Sequence, residues 1–191
     1  MTLRKIATLG HPVLRTPARE LTRDELASEA TQSFIDDLVE TMRDANGAGL
    51  AANQIHAPIR ICAIEQKKNP RYPEKPEFPL TILVNPVIEP LSDATFLNYE
   101  GCLSVPDLRG EAERLLEIRV RAWDRQGAPW VQEIRGLTAG TFQHEIDHLD
   151  GLLFVDRVKD TRSLCTWKEF ERWHLAGFAR RAKELVDRWG A

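Results

Sequence analysis

Cysteine is scarce in this chain: Cys62, Cys102 and Cys165 are an odd number at no paired spacing, which argues against a disulfide framework and for reduced thiols. No run approaches the roughly 18 apolar residues of a membrane span, and the opening Met1-Thr2-Leu3-Arg4-Lys5 lacks the apolar region of a secretory signal. Neither charge dominates. A net charge of -3 argues against a general nucleic-acid binder, although Arg180, Arg181, Lys183 and Arg188 concentrate positive charge near the C-terminus. Internal repeats and low-complexity tracts are also missing, which excludes solenoids and disordered tails. What is left is the expectation of a soluble, cytoplasmic protein with neither a membrane nor a specific nucleic-acid sequence as partner. With 191 residues, 42% of them hydrophobic, the chain can bury one good core, so a single domain with a C-terminal extension is expected.

His11-Pro12 and Thr16-Pro17 punctuate an irregular N-terminal segment, after which residues 26–43 carry Phe34, Leu38 and Met42 at helical spacing. A loop at Asn46-Gly47-Ala48-Gly49 follows. Strands are expected at 59–65, 80–84, 87–90, 115–123 and 130–134, the last two joined by the turn Asp124-Arg125-Gln126-Gly127. Residues 69–79 hold four prolines and read as a surface excursion. A final helix over 163–189 carries Trp167, Phe170, Trp173, Leu175, Phe178 and Leu185. Strands and helices do not alternate regularly. The pattern therefore predicts an α+β fold, with small antiparallel sheets packed around one central helix and a C-terminal helix.

That central helix holds the chemistry. His144-Glu145-Ile146-Asp147-His148 is an H-E-x-x-H sequence, with Phe142, Ile146 and Leu149 as an apolar stripe, Thr138 as the expected N-cap and Gly151 at the C′ position. Spacing of four stacks two imidazoles on one helix face, and Glu145, roughly 100° round, can reach a water on a shared metal. A third ligand is needed. Position 154, where one metalloprotease pattern would need histidine, is Phe, and Glu169 and Glu171 alternate with Lys168 and Arg172 as a solvated helix face would. Cys102 is the stronger candidate, because Gly101 beside it permits close backbone approach and the segment 100–104 follows no simple strand alternation.

Gly47-Ala48-Gly49-Leu50-Ala51-Ala52-Asn53-Gln54, then Glu100-Gly101-Cys102-Leu103-Ser104, then Gln143-His144-Glu145-Ile146-Asp147-His148 resemble, in order, the three signature motifs of peptide deformylases. Pro12-Val13-Leu14-Arg15 resembles the family's N-terminal element, and the likeness covers roughly residues 5–160. It implies a catalytic domain over 1–160, with 161–191 a C-terminal helix of the same domain. It also implies removal of the N-formyl group from the initiator methionine of nascent bacterial or organellar chains, with release of formate. Fe(II) is the implied native metal, and Zn(II), Ni(II) or Co(II) can occupy the site.

Two neutral imidazoles and one thiolate leave a divalent cation with a net positive charge and an open position, so its water acidifies towards neutrality. Glu145 can take that proton and return it to the departing amine. Gln54 offers an amide to the developing oxyanion, and the resemblance implies the N–H of Leu103 as its partner. The substrate contacts it implies are Gly49, Gly101, Arg109 and Leu137, the last in the methionine pocket. Departures from the family pattern occur at Gly140-Thr141, His56 and Asp107, and bear on pocket shape. The resemblance also makes nascent formylmethionyl peptides the expected partner, and a contact with the ribosome would use the basic residues of the C-terminal helix. A structural zinc scaffold and an RNA-binding accessory protein are the alternatives; no fourth protein ligand that would close a structural site is obvious, and an intact Glu145 and Gln54 oppose the second.

Overall fold

The apolar spacing over 26–43 corresponds to two helices in the computed structural model, which describes residues 2–68 and 75–190. Helix α1 (Arg23–Ala27) starts in a capping box between Thr22 and Glu25 and stops at Ser28, whose backbone is extended and whose side-chain hydroxyl starts α2 (Glu29–Asp44) by accepting from the Thr31 N–H. Ile35, Leu38, Val39 and Met42 then face the core.

Among the described residues eight strands follow the chain as β1 (Gly49–Ala51), β2 (Ile61–Gln66), β3 (Phe78–Pro90), β4 (Thr95–Cys102), β5 (Val105–Leu115), β6 (Glu117–Trp123), β7 (Pro129–Arg135) and β8 (Cys165–Thr166). They form a five-stranded sheet in the order β1-β2-β3-β6-β7 and a three-stranded sheet in the order β4-β5-β8, all pairs antiparallel. The strands expected at 80–84 and 87–90 are one strand, β3. Its register slips between Val84 and Val87, where Asn85 turns to φ 51° and Pro86 has no N–H for the ladder. The expected strand at 115–123 begins instead at Glu117, and most of the excursion at 69–79, residues 69–74, lies outside the described residues.

Strands β4 and β5 were not expected from the sequence, because the faces they bury carry Asn98, Glu100 and Arg114. Segment 100–102 does finish a strand. Its register slips between Glu100 and Cys102, which is why simple alternation is absent there.

Helix α3 (Gly136–Leu149) is buried between the two sheets along almost its whole length. Phe142, Ile146 and Leu149 pack on Leu83, Ile118, Val120 and Ile134 of the larger sheet. Thr138 is not its N-cap. Strand β7 runs straight into the helix through Arg135, and Gly136 at φ 58° makes the sharp turn, leaving Thr138 inside the first turn. Gly151 stands just past the other end at φ 77°, as its position suggested.

The single helix expected over 163–189 is broken. Thr166 caps α4 (Trp167–Trp173), His174 at φ -117° and ψ -28° is the junction, and α5 (Leu175–Trp189) follows. The break lets Phe170, His174 and Phe178 all reach the ring of Tyr99, with centroids 5.0, 5.4 and 6.3 Å away. That aromatic cluster fastens the C-terminal helices to strand β4.

Candidate metal centre and active site

Helix α3 places the His144 and His148 rings 5.0 Å apart and nearly perpendicular, and the end of β4 brings Cys102 Sγ to 3.2 Å from His148 Nε2. One donor atom from each of the three lies within 4.8 Å of the others. Burial pushes the Cys102 thiol up, but the two imidazoles beside it outweigh that and hold it well below its ordinary value. Burial likewise disfavours charge on His144, yet Cys102 and Glu100 raise it. A thiolate sharing protons with two imidazoles is a donor set that a divalent cation fits by replacing those protons. Glu169 is elsewhere, accepting at 2.8 Å from the indole N–H of Trp173 on exposed α4.

Behind the histidines runs a chain of alternating charge. His144 Nδ1 lies 2.8 Å from Glu100 Oε2, so it donates there and leaves Nε2 to the centre. Arg114 donates to both Glu100 oxygens at 2.7 and 2.8 Å and also to Asp147, and Arg157 closes the far end on Asp147 at 2.6 Å. Burial alone would raise the Glu100 carboxyl. Arg114 instead holds it far below the usual carboxylate range. Sequence reasoning passed over these residues: Glu100 and Asp147 sat inside quoted motifs without a role, and nothing around Arg114 marked it as buried.

Glu145 is buried, its Oε2 has no hydrogen-bond partner among the described residues, and burial raises its carboxyl above the ordinary range against the pull of His144 and His148. Gly49 is where it is for that reason, since a Cβ there would overlap the Glu145 carboxylate. Gln54 Oε1 accepts from the Ala51 N–H at 2.8 Å, which aims Nε2 at Ser104 Oγ (3.0 Å) and Cys102 Sγ (3.6 Å). Ser104, also passed over, donates its N–H to the Cys102 sulfur at 3.3 Å. The Asn53 side chain donates to the His148 carbonyl, tying the first motif to the third.

These groups open on a cleft of about 990 Å³ whose walls include Gly49, Gly101, Leu103, Arg109 and Thr141. Leu137 stands apart. It is buried behind the wall, against Tyr99, Phe170 and Phe178, and is not among the cleft-lining residues. Of the departures, His56 and Asp107 both occupy positive φ, 68° and 59°, backbone that favours glycine. Thr141 accepts from Gln66 at 2.7 Å, and a Cβ at Gly140 would press on Phe96 and Asn98 at 3.3 Å.

The sequence model of the polypeptide deformylase family matches residues 3–163. Peptide deformylase of Leptospira biflexa is 42% identical over 163 residues, 85% of this chain and 91% of that protein. Peptide deformylase 1 of Prochlorococcus marinus is 41% identical over 172 residues, 90% of this chain and 88% of that protein. Among solved structures, the class I type b peptide deformylase of Acinetobacter baumannii with bound Met-Ala-Ser matches at TM-score 0.79 and 37% identity, covering 82% of this chain and 99% of that one. The Synechococcus elongatus enzyme in complex with actinonin matches at TM-score 0.73 and 31% identity, covering 98% of this chain and 86% of that one.

Proposed function

The chain belongs to the peptide deformylase family, and from that premise we propose that it removes the N-formyl group from formylmethionyl nascent peptides at the Cys102, His144 and His148 centre. The observation that carries this reading is a Glu145 oxygen with no hydrogen-bond partner among the described residues, lining the same cleft as three donor atoms within 4.8 Å of one another.

Cys102, His144 and His148 would hold the cation, natively Fe(II), with Zn(II), Ni(II) or Co(II) as substitutes. When bound it supplies Lewis acidity, which lowers the pKa of a water and polarises the formyl carbonyl. Every other task falls to the chain. Glu145 accepts the proton from the attacking water, and its raised carboxyl retains that proton until the C–N bond breaks and the methionine amine needs it. Water oxygen and formyl carbon leave together as formate. Gln54 Nε2 and the Leu103 N–H face the charge that develops on the formyl oxygen, and one such donor contributes about 3 kcal/mol in other enzymes.

Strand β1 is at the edge of its sheet, so the backbone of Gly49 can pair with an extended peptide while its bare α-carbon leaves Glu145 room. Arg109 and Gly101 form the opposite wall. Leu137 acts from behind, through its packing on the cleft residue Tyr99. Arg172, Arg180 and Arg188 are exposed on α4 and α5 and support a salt-sensitive contact with the ribosome, whereas Arg181 is engaged by Glu111 at 2.6 Å. No helix among the described residues is long and apolar enough to cross a membrane, and a bacterial cytoplasm is the proposed place of action. Formate release from formyl-Met-Ala-Ser, measured with Fe(II)-loaded protein under nitrogen, tests the activity. A loaded protein that releases none contradicts it.

A further inference from the structure

Residues 4–9 belong to no helix or strand, yet the segment is tied down at both ends. At its outer end Arg4 donates its N–H to Thr41 Oγ at 3.0 Å and its guanidinium to buried Asp37 at 2.7 Å, both on α2. At its inner end, two main-chain donors two residues apart serve two different motifs. The Ala7 N–H donates to the Gln54 carbonyl at 2.7 Å, and the Leu9 N–H donates to the Ser104 carbonyl at 2.7 Å. Gln54 sits in the short turn Ala52–Ile55 after β1 of the larger sheet, whereas Ser104 lies between β4 and β5 of the smaller one. Residues 7–9 therefore bridge the two sheets. Ala7 is buried there in the cluster of Val105 and Phe154 that Cys102 packs against. The side chains repeat the link, because Gln54 Nε2 donates to Ser104 Oγ at 3.0 Å and reaches Cys102 Sγ at 3.6 Å. Two main-chain bonds and one side-chain bond thus close a ring through Gln54 and Ser104, which leaves the Gln54 amide little freedom relative to Cys102.

We infer that Leu9 is a positioning residue for the oxyanion side of the reaction: its N–H holds Ser104, and through it Gln54, at the distance from Cys102 that the developing charge requires. This rests on the deformylase reading above and extends it to a segment that is not among the cleft-lining residues. Loosening the strap costs turnover and not substrate binding, because Gln54 acts on charge that appears only in the transition state.

The local backbone makes a selective test possible. Thr8 to His11 form a turn closed by the His11 N–H on the Thr8 carbonyl at 3.0 Å, with Gly10 at φ 102° in the third position. Such a type II turn accepts proline in its second position, which is Leu9. The Leu9 side chain is half exposed, so little packing goes with it. Leu9→Pro therefore suits the turn but removes the donor and sets a ring carbon against the Ser104 carbonyl, so that the strap draws back. On formyl-Met-Ala-Ser, the metal-loaded variant is expected to lose about ten- to a hundredfold in kcat, with KM within about twofold, as displacing a positioned group by about 1 Å does. Leu9→Ala keeps the N–H and retains kcat. In a double-mutant cycle, Leu9→Pro should cost little more in a Gln54→Ala background, since the strap acts through Gln54. Amide exchange reads the same coupling without turnover, and decides the matter if Leu9→Pro folds poorly. By reciprocity, Gln54→Ala is expected to speed exchange at Ala7 and Leu9 by about two- to tenfold, the worth of one net hydrogen bond, and to leave the amides of β6 unchanged. Unchanged kcat, a loss carried by KM, an equal loss in Leu9→Ala, full additivity in the cycle, or unchanged exchange at Ala7 and Leu9 would each overturn the inference. Wild-type protein inactive on formyl-Met-Ala-Ser would instead reject the deformylase reading itself.

Discussion

Replacing Arg114 by Met keeps the length of the side chain and removes its charge, in a place where two carboxylates depend on it. The Arg114 side chain is 2% exposed and Glu100 is 5% exposed, with two hydrogen bonds between them. Asp147 retains Arg157, but Glu100 keeps only the His144 ring and the neutral Asn98 amide among the described residues. Breaking a buried pair by removing one partner costs about 3–5 kcal/mol, because the surviving charge stays desolvated. For a domain of this size each kcal/mol moves Tm by roughly 2–4 °C, so Arg114→Met should melt about 6–20 °C below wild type. A second effect is local. Glu100 without its guanidinium is no longer fixed in place against the His144 ring, and disturbing a group that orients a metal ligand typically weakens affinity about 10–100-fold. Calorimetry and a chelator competition would read the two separately. A variant melting within about 2 °C of wild type with unchanged metal affinity would refute the reasoning, because Glu100 would then be neutral or solvated.

Cys102→Ala is expected to lose most of its metal while Glu169→Ala keeps it, as analysis of both proteins purified under nitrogen would show. Because Fe(II) beside a thiolate is open to oxidation, activity of the Fe(II) form should decay in air, and the Ni(II) or Co(II) form should persist. Timed assays in air and under nitrogen check this, and equal stability of both forms would count against it. Reversing charge at Arg180, Arg181, Lys183 and Arg188 to Glu should weaken co-sedimentation with ribosomes, most at low salt, while deformylation is unchanged.

The helix that carries the candidate centre was legible because its apolar stripe and its two histidines share one period, and the structure groups His144 and His148 with Cys102. Cys102 was legible from the glycine beside it and from the failed alternatives at Phe154 and Glu169. The scaffold behind the ligands was not. Burying Glu100 and Arg114 on inward faces of β4 and β5 is possible only because each neutralises the other across the two strands, a pairing that alternation of apolar residues cannot reveal. The break at His174 was equally hidden, with neither proline nor glycine to mark it. It arises from the tertiary pull of Tyr99 on three rings at once. Leu137 lay close to the right wall in sequence, yet its position on α3 turns it to the aromatic cluster instead of the cleft.

The central claim is that Glu145 moves the proton without holding the metal, and Glu145→Gln separates those roles because the amide keeps the shape and cannot accept the proton. Formate release and metal content, measured on one anaerobic preparation, should show turnover down by at least about a hundredfold with metal still near one per chain. Loss of metal in that variant, or turnover close to wild type with metal retained, would contradict the account.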